Sequence, residues 1–362
     1  MIYGSTGYTG RLIVGQAIEA GLTPLLAGRS RDALREQAER FDLPWLAYSL
    51  DRTGDVTEAL SHADVVINAA GPFLETASPM IEACLRARVH YLDISGELPV
   101  FQGALQKDQE AAEAGVMLMP GAAWSVVATD CLAAHVAAKL PGAKYLRIGI
   151  AHSSIASRGS ARSALGLISS QVAIRRNGRL ASVPVGRLER SFDFGDGAKP
   201  CMALSWPDVL CAYHTTGAPN IEVYMDIGGL PRFAAPLSSW IGELFQLPGL
   251  QPVLRAAAQL LPRGPEEDAR KAATQMIVVE GEDNWRRSAS ARLTTADGYG
   301  FTAAACVAIA ERVLEGEYRP GFQTPAGLFG ADFVLRLKGT RRDDIEAPLE
   351  REAARSSRAS TH

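Results

Sequence analysis

The chain has few cysteines and no closely paired ones. Its five cysteines lie at positions 84, 131, 201, 211 and 306 of 362 residues. An odd number, wide spacing and the lack of any CxxC pair exclude a disulfide framework and a zinc site. We therefore expect a protein of a reducing cytoplasm that holds no metal.

Long apolar runs and an excess of one charge are missing as well. The sequence contains no stretch of about 18 apolar residues of the kind that spans a membrane, and no leader of the secretory type precedes the first strand. The most apolar segment, residues 236–261, is interrupted by Glu243, Arg255 and prolines, and predicts packed amphipathic helices; a surface for an apolar substrate or a membrane interface is the alternative. With 37 lysines and arginines against 40 acidic residues, no overall field favours nucleic acid or an anionic membrane. We expect neither as a partner.

The remaining composition is that of a globular protein. Hydrophobic residues make up 47% of the chain, and its length exceeds the size at which a single core usually stops growing. Up to about residue 120, short apolar strands alternate with helical patterns, which indicates a doubly wound parallel sheet. Alternating strand patterns after that point indicate a second α+β domain with a mixed sheet.

Glycines recur at three-residue spacing in the opening segment GSTGYTG. They follow the apolar run MIY and precede a helical pattern. In such strand, turn and helix units the first glycine makes the tight turn, the second lets a diphosphate approach the backbone, and the third lets helix and strand pack closely. A glycine-rich turn without a ligand is the alternative. The segment predicts a dinucleotide site formed by Gly4, Ser5, Thr6, Gly7, Tyr8, Thr9 and Gly10.

The end of the second predicted strand indicates which dinucleotide binds. An acidic residue there would accept the ribose 2′-hydroxyl of NAD, but this chain has AGRS, with Arg29 and Ser30 in that place. A guanidinium group stays charged and pairs bidentately with a 2′-phosphate. We therefore expect NADP in preference to NAD; the alternative is a solvated Arg29 and an ordinary N-cap at Ser30.

Two later loops follow strands of the same predicted sheet. Ligands of open α/β sheets bind at the carboxyl ends of strands, which selects the loops AGPF, residues 70–73, and ISGE, residues 94–97. Asp93 and Glu97 are candidate catalytic residues because a carboxyl group can supply a proton or hold a cationic amine; capping of the next helix is the alternative. We expect contacts with the ribose and nicotinamide from Ala70, Gly71, Pro72, Phe73, Ser95 and Gly96.

Candidate substrate residues lie in the second predicted domain. Ser157, Arg158 and Arg162 stand at the start of a predicted helix, where backbone N–H groups and guanidinium charge form an anion site; an N-cap with solvated arginines is the alternative. Tyr213 is a further substrate candidate. His214 is a candidate catalytic residue because histidine exchanges a proton near neutral pH, and a structural histidine is the alternative.

The domains are expected at the following boundaries. A Rossmann-type domain spans residues 1–122 and is completed by residues 299–338; a substrate and dimerisation domain spans residues 123–298. The charged segment after Gly339 predicts a mobile tail over residues 340–362. Only three residues precede Gly4, which predicts an unusually short first strand or a start upstream of Met1.

Several segments together resemble one family. GSTGYTG, AGRS, VINAAGPF, HYLDISGE and TPAGLFGADFVLRL are similar to the saccharopine dehydrogenase-like reductases, which include trans-acting enoyl reductases that serve polyketide-type lipids. The resemblance runs from Met1 to about Gly339. It implies an NADP-binding Rossmann domain, a second domain that shapes the substrate site, and a final helix that docks on the first domain. From Gly121 to Asp130 the chain reads GAAWSVVATD, where relatives carry a GFDSVPSD-like segment.

The sequence thus predicts an NADP-dependent reductase of a C=N or C=C bond in a small or lipid-like substrate. Hydride transfer from a nicotinamide requires orientation, a dry pocket and a proton source from the protein. The alternative from another class is a non-catalytic NADP-binding protein that senses redox state or supports an assembly. The strand patterns of the second domain and the apolar segment 236–261 predict a homodimer.

Overall fold

The structure is a computed structural model that describes residues 1–151, 171–226, 268, 270 and 273–345. These residues form two sheets, one parallel and one mixed, with helices between the strands. The predicted fold class, a Rossmann-type doubly wound sheet followed by an α+β domain with a mixed sheet, is confirmed.

The first sheet contains seven parallel strands. They are β1 (Ile2–Tyr3), β2 (Leu26–Gly28), β3 (Trp45–Ala47), β4 (Val65–Asn68), β5 (His90–Asp93), β6 (Met117–Met119) and β15 (Gly321–Phe322). The helices that follow them are α1 (Tyr8–Glu19), α2 (Arg31–Phe41), α3 (Thr53–Leu60), α4 (Phe73–Ala87), α5 (Leu98–Gln106) and α6 (Asp108–Ala114). The strand order is β15-β6-β5-β4-β1-β2-β3.

The central position of β1 explains why two residues are enough for this strand. Ile2 lies opposite Leu26 of β2 on one side and Ile67 of β4 on the other. Both residues of β1 are buried, as expected of a parallel strand covered on both faces. The chain winds outward from β1 in one direction through β2 and β3 and in the other through β4, β5 and β6. Doubly wound sheets bind ligands at such a reversal, beside the carboxyl ends of the strands.

The second sheet contains nine strands of mixed direction. They are β7 (Tyr145–Ile150), β8 (Gln171–Arg176), β9 (Arg179–Pro184), β10 (Glu189–Asp193), β11 (Ala198–Ala203), β12 (Asn220–Asp226), β13 (Gln275–Glu282), β14 (Ser288–Thr295) and β16 (Arg341–Ile345). The main order is β10-β11-β12-β7-β13-β14-β16, and β8 pairs with β12 and β9. Two helices belong to this part, α7 (Trp124–Lys139) and α8 (Asp208–Thr216). Only the β12–β7 pair is parallel among the described strands of this sheet.

The last part of the described chain joins both sheets. Helix α9 (Gly298–Leu314) begins at Asp297, whose carboxylate accepts hydrogen bonds from the backbone N–H groups of Tyr299 and Gly300. This helix packs against α1. Strand β15 then pairs with β6, and a short helix, α10 (Pro325–Phe329), packs against α7. The C-terminal segment therefore contributes a helix and an edge strand to the first domain.

One sequence expectation is corrected by the pairing of β16. Residues 341–345, which were assigned to the mobile tail, extend the second sheet beside β14, with Thr294 opposite Arg341 and Ser290 opposite Ile345. The Asp344 carboxylate pairs with Lys139 and with His135 of α7, and these two contacts attach the strand to that helix. A charged strand was mistaken for a tail because its side chains pair with partners distant in sequence.

The described residues form two apolar core clusters, a large one and a smaller one in the second sheet that includes Phe192, Phe194 and Tyr224. Buried side chains from both sheets and from α7 and α9 form one large cluster, and all five cysteines are buried free thiols. In the part of the chain that the structure describes, no helix has both the length and the apolar character needed to cross a bilayer.

Candidate functional site

The glycine loop follows β1 and has little room for side chains. Gly4 has φ +84°, in the left-handed region, and a Cβ there would lie 2.8 Å from the backbone nitrogen of Ala70. A Cβ on Gly10 would overlap the carbonyl oxygen of Gly4 and lie 3.0 Å from the Cα of Ser5. The first and third glycines therefore permit the tight turn and the close packing of α1 that the motif requires.

The N-terminus of α1 is suited to a diphosphate. Gly7 is exposed and takes the N-cap position of this 12-residue helix, which has no side-chain cap and no acidic residue in its first turn. Ser5 is not a cap, because its buried hydroxyl donates to Gln37 Oε1 at 2.9 Å. Backbone N–H groups and the helix dipole favour a negative charge at such an end. The residues present therefore fit the phosphates of a dinucleotide.

The end of β2 presents cationic side chains. Arg29 and Ser30 are exposed after the buried strand, and Arg31 opens α2 with its guanidinium 5.6 Å from the ring centre of Trp45. Gln37 of α2 also donates to the carbonyl of Ser5, so two hydrogen bonds connect α2 to the glycine loop. This arrangement holds the start of α2 at a fixed position beside the loop, where a ribose phosphate can approach Arg29.

A buried hydrogen-bond network joins the loops after β4 and β5. The Asn68 side chain accepts from the backbone N–H of Ala70 at 3.1 Å and donates to Thr76 and to the hydroxyl of Tyr91. Tyr91 donates in turn to Asp93 Oδ2 at 2.7 Å. Thr76 donates to the carbonyl of Ala70. The AGPF and ISGE loops are therefore held in one arrangement by side chains at the ends of neighbouring strands.

Asp93 is the centre of this network. Its Oδ1 accepts from the backbone and hydroxyl of Ser95, at 2.9 and 2.7 Å, and from the backbone of Gly121 at 2.8 Å. Burial raises the pKa of Asp93, and these hydrogen bonds oppose the rise. With both oxygens engaged and no exposed surface, Asp93 is placed to hold the ISGE loop; its direct role in chemistry stays a prediction.

Glu97 is placed differently from Asp93. Its side chain is only 2% exposed, and Oε2 accepts from the backbone N–H of Gly96 at 2.8 Å. The other oxygen, Oε1, is buried and has no hydrogen-bond partner in the described structure. A buried carboxylate oxygen without a partner is costly in a folded protein. Glu97 therefore keeps one buried oxygen without a partner among the described residues, and its direct role in chemistry stays a prediction.

Two indole rings from the second domain lie beside these loops. Trp124 opens α7 and donates from Nε1 to Thr295 at 2.9 Å, while Trp206 donates from Nε1 to the carbonyl of Ser125 at 2.9 Å. Ser125 donates to the carbonyl of Ser95, and a Cβ on Gly96 would lie 3.7 Å from its oxygen. Large aromatic groups are thus fixed next to the ISGE loop, where they can exclude water.

A cationic side chain from the second domain lies near the glycine loop. The Arg270 guanidinium pairs with Asp297 at 3.4 Å, with both side chains mostly buried. The rings of Tyr8 and Tyr299 meet edge to face at 5.2 Å. Burial raises the pKa of Tyr8, and the nearby charge of Arg270 opposes the rise. The start of α1 therefore faces the start of α9 and one arginine.

Residues 1–119 match the family model described as the saccharopine dehydrogenase NADP binding domain. The resemblance that the sequence suggested is confirmed for these residues. The glycine loop, Arg29 and the two strand-end loops all lie within the matched residues.

Relatives of the NADP-binding domain carry two kinds of name. A trans-acting enoyl reductase of Mycobacterium ulcerans (strain Agy99) is 24% identical over 145 residues, 38% of this chain and 34% of the relative. A lipid droplet localized protein of Caenorhabditis elegans is 29% identical over 144 residues, 36% of this chain and 34% of the relative. The match spans about a third of the length of these relatives.

The similarity in fold extends beyond the NADP-binding domain. Saccharopine dehydrogenase (L-Glu forming) from Saccharomyces cerevisiae superposes with a TM-score of 0.62 at 14% identity, covering 95% of this chain and 99% of the yeast chain. At this identity the likeness shows the fold alone. Both domains described above therefore follow the saccharopine dehydrogenase architecture.

The other candidate residues either contact residues outside the two loops or lie outside the described residues. His214 lies on α8 with its ring 5.2 Å from that of Phe322, and burial lowers its pKa. Tyr213 lies under the Arg175 guanidinium, 3.9 Å from the ring centre. The predicted roles of both stay predictions, and Ser157, Arg158 and Arg162 lie outside the described residues.

Sequence reasoning missed several residues of this site. Asn68 ends the predicted strand VVIN, and its polarity at the carboxyl end of an apolar strand was a usable signal. Trp124 begins α7 and Trp206 lies between β11 and α8. No local sequence pattern shows that these two tryptophans lie near the first domain. Arg270 and Gln37 carry no local signal, because each acts through a partner distant in sequence.

Proposed function

We propose that the protein is an NADP-dependent oxidoreductase that reduces a C=N or C=C bond of a small or lipid-like substrate. The observation that carries this proposal is the pair of strand-end loops joined by the Asn68, Tyr91 and Asp93 network, with the unpartnered Oε1 of Glu97 buried beside them. A rigid pair of loops at the switch point of the sheet orients a bound dinucleotide. A buried carboxyl with one oxygen unengaged can exchange a proton there.

The geometry supports the following cofactor-binding residues. The N-terminus of α1 would hold the diphosphate, Arg29 and Ser30 would hold the 2′-phosphate, and the AGPF and ISGE loops would contact the ribose and nicotinamide. Arg270, held by Asp297 near Tyr8, would add positive charge near the start of α1. NADP supplies the hydride when it is bound.

The chain's own residues provide orientation, dryness and a proton. Trp124 and Trp206, which lie next to Ser125 beside the ISGE loop, would exclude water from a bound substrate. Glu97 transfers a proton at Oε1 to the atom that becomes negative as the double bond is reduced. The names of the curated relatives support a C=C bond, since one is an enoyl reductase, and a lipid-like substrate, since another is a lipid droplet localized protein.

The test measures NADPH oxidation with three substrate classes: enoyl thioesters, cyclic imines, and keto acids with amines. Deuterated NADPH should transfer its label to a product in one class, which mass spectrometry detects. Glu97→Gln should lower kcat by about 10²-fold and leave NADPH affinity unchanged. Glu75→Gln, an exposed carboxylate in the first turn of α4, is the matched control and should keep full activity.

Two outcomes would contradict the proposal. Equal rates for the Glu97→Gln and Glu75→Gln variants would remove Glu97 from the chemistry. Tight NADPH binding without turnover in any class would favour the other candidate, a non-catalytic NADP-binding protein that senses redox state or supports an assembly. That candidate is compatible with the full engagement of Asp93 and the distant contacts of His214.

A further inference from the structure

One end of the second sheet exposes an ordered tryptophan. Trp285 is 74% exposed, the largest exposed fraction among the bulky apolar side chains of the described residues. It lies in the turn between β13 and β14, where buried Asp283 accepts hydrogen bonds from the backbone of Trp285 and from the backbone and side chain of Arg287. The turn is therefore braced, and it holds the indole away from the sheet.

Cationic side chains lie along the same end of the sheet. The β8–β9 turn, the start of β12, the start of β7 and the β13–β14 turn are neighbours, because Asn220 lies opposite Tyr145 and Tyr145 lies opposite Glu282. The backbone N–H of Gly178 in the β8–β9 turn also donates to the carbonyl of Pro219, just before β12. At about 4.8 Å between strands, this row is about 19 Å long. We call it the basic edge; its cations are Lys144, Arg147, Arg176, Arg179, Arg286 and Arg287.

The carboxylates of the basic edge are already engaged. Glu282 pairs with Arg147, Glu222 lies near Arg176, and Asp283 pairs with Arg287. Lys144, Arg179 and Arg286 take part in no ion pair with another described residue. Among the described residues of this edge, the six cations outnumber four carboxylates, because Glu280 also lies opposite Arg147 and pairs with Arg190 of β10. The edge is therefore positive although the whole chain has a formal charge of -3. Tyr145, 41% exposed, adds a second aromatic ring.

The basic edge lies far from the candidate site. Helix α7 starts at Trp124 beside the ISGE loop and runs 16 residues, about 24 Å. Its other end reaches the basic edge, since a Cβ on Gly281 of β13 would touch Val136 and Leu140. A protein that delivers substrate must dock near the mouth of the site, whereas a surface that only localises the enzyme can lie at the opposite end.

We infer that the basic edge docks the protein on an anionic lipid surface, with Trp285 and Tyr145 in the headgroup layer and the unpaired cations on lipid phosphates. Tryptophan and tyrosine favour the membrane interface, because one side of the ring is apolar and the other polar. Cations near an anionic leaflet gain affinity that salt screens. The net charge of the sequence predicted no membrane contact because it averages this edge with the rest of the chain.

Co-sedimentation of the full chain with vesicles tests this inference. Vesicles of phosphatidylcholine with phosphatidylserine should bind the protein, vesicles of phosphatidylcholine alone should bind it much less, and added salt should weaken binding. Arg179→Gln with Arg286→Gln should weaken binding about 25-fold, at about fivefold per cation. Trp285→Ser should weaken it about tenfold. Arg40→Gln with Arg52→Gln, and Phe41→Ser, are matched controls on exposed residues of the first domain.

The outcomes separate the possible occupants of the basic edge. No binding to anionic vesicles, or equal binding by the edge variants and their controls, would overturn the inference. If light scattering instead shows that the edge variants abolish self-association, the occupant is a second copy of the chain and the lipid assignment is wrong. These results do not depend on NADPH turnover, so they stand apart from a test of the proposed reaction.

Discussion

Gly10 and Gly15 lie in the same helix, α1, yet an added methyl group meets different surroundings at each. At Gly15 no atom lies within 4 Å of the added Cβ, whereas at Gly10 it would overlap the carbonyl of Gly4 and press on Ser5. In a helix interior, alanine is more favourable than glycine by about 1 kcal/mol of helix propensity. Gly15→Ala should therefore raise the free energy of unfolding by about that amount. At Gly10 the added methyl group meets backbone atoms, which cannot move aside as a flexible side chain can. Overpacking of this kind costs about 1–3 kcal/mol, so Gly10→Ala should lower the free energy of unfolding by about 2 kcal/mol.

The assay is urea unfolding of both variants, followed by calorimetric titration with NADPH. The free energies of unfolding of the two variants should differ by about 3 kcal/mol, the sum of the two effects. Gly10→Ala should also weaken NADPH binding, because the loop must move, while Gly15→Ala should bind as the parent does. Equal stability and equal NADPH affinity for the two variants would show that the glycine loop is not closed against α1 as described.

Four further predictions concern binding, pH and assembly. Arg29→Ala should weaken NADPH about 10–100-fold, the loss of a charge-assisted contact, and leave NADH unchanged; equal losses would contradict the 2′-phosphate assignment. Arg270→Gln should weaken NADPH and NADH alike, and calorimetry that shows no change for either would remove it from the site. Burial raises the pKa of Asp130 from 3.8 to about 7, so the folded state binds more protons than the unfolded state. The free energy of unfolding should therefore fall by about 4 kcal/mol as pH rises from about 4 to 7. Asp130→Asn should flatten that pH dependence in urea unfolding, and an unchanged dependence would contradict a raised pKa at Asp130. Light scattering at micromolar concentration should show a dimer, and a monomer would refute this expectation.

The parallel sheet could be predicted because its signals are local. Each strand from β1 to β6 is a short apolar run followed by a helical pattern, and buried parallel strands require that composition. The glycine loop was predictable for the same reason, because three glycines at fixed spacing satisfy one turn and one packing requirement.

The parts of the site that sequence could not predict depend on contacts between distant residues. Nothing near Asp93 in sequence shows that Gly121 donates to it, and that hydrogen bond gives Asp93 a loop-holding contact, while its role as a catalytic acid stays a prediction. Arg270 became a candidate site residue only because the structure places it beside Asp297 and near Tyr8, both distant in sequence. Charged β16 was assigned to a tail because strands at a sheet edge need no apolar alternation when their side chains pair across the sheet.

The central claim is that NADPH binds across the switch point of the first sheet with its nicotinamide at the AGPF and ISGE loops. A crystal structure of the full chain with NADPH tests it most directly. The account predicts the diphosphate at the N-terminus of α1, the 2′-phosphate beside Arg29, and the nicotinamide C4 between Gly71 and the Oε1 of Glu97. A nicotinamide directed away from both loops, or a cofactor bound elsewhere on the chain, would contradict the account.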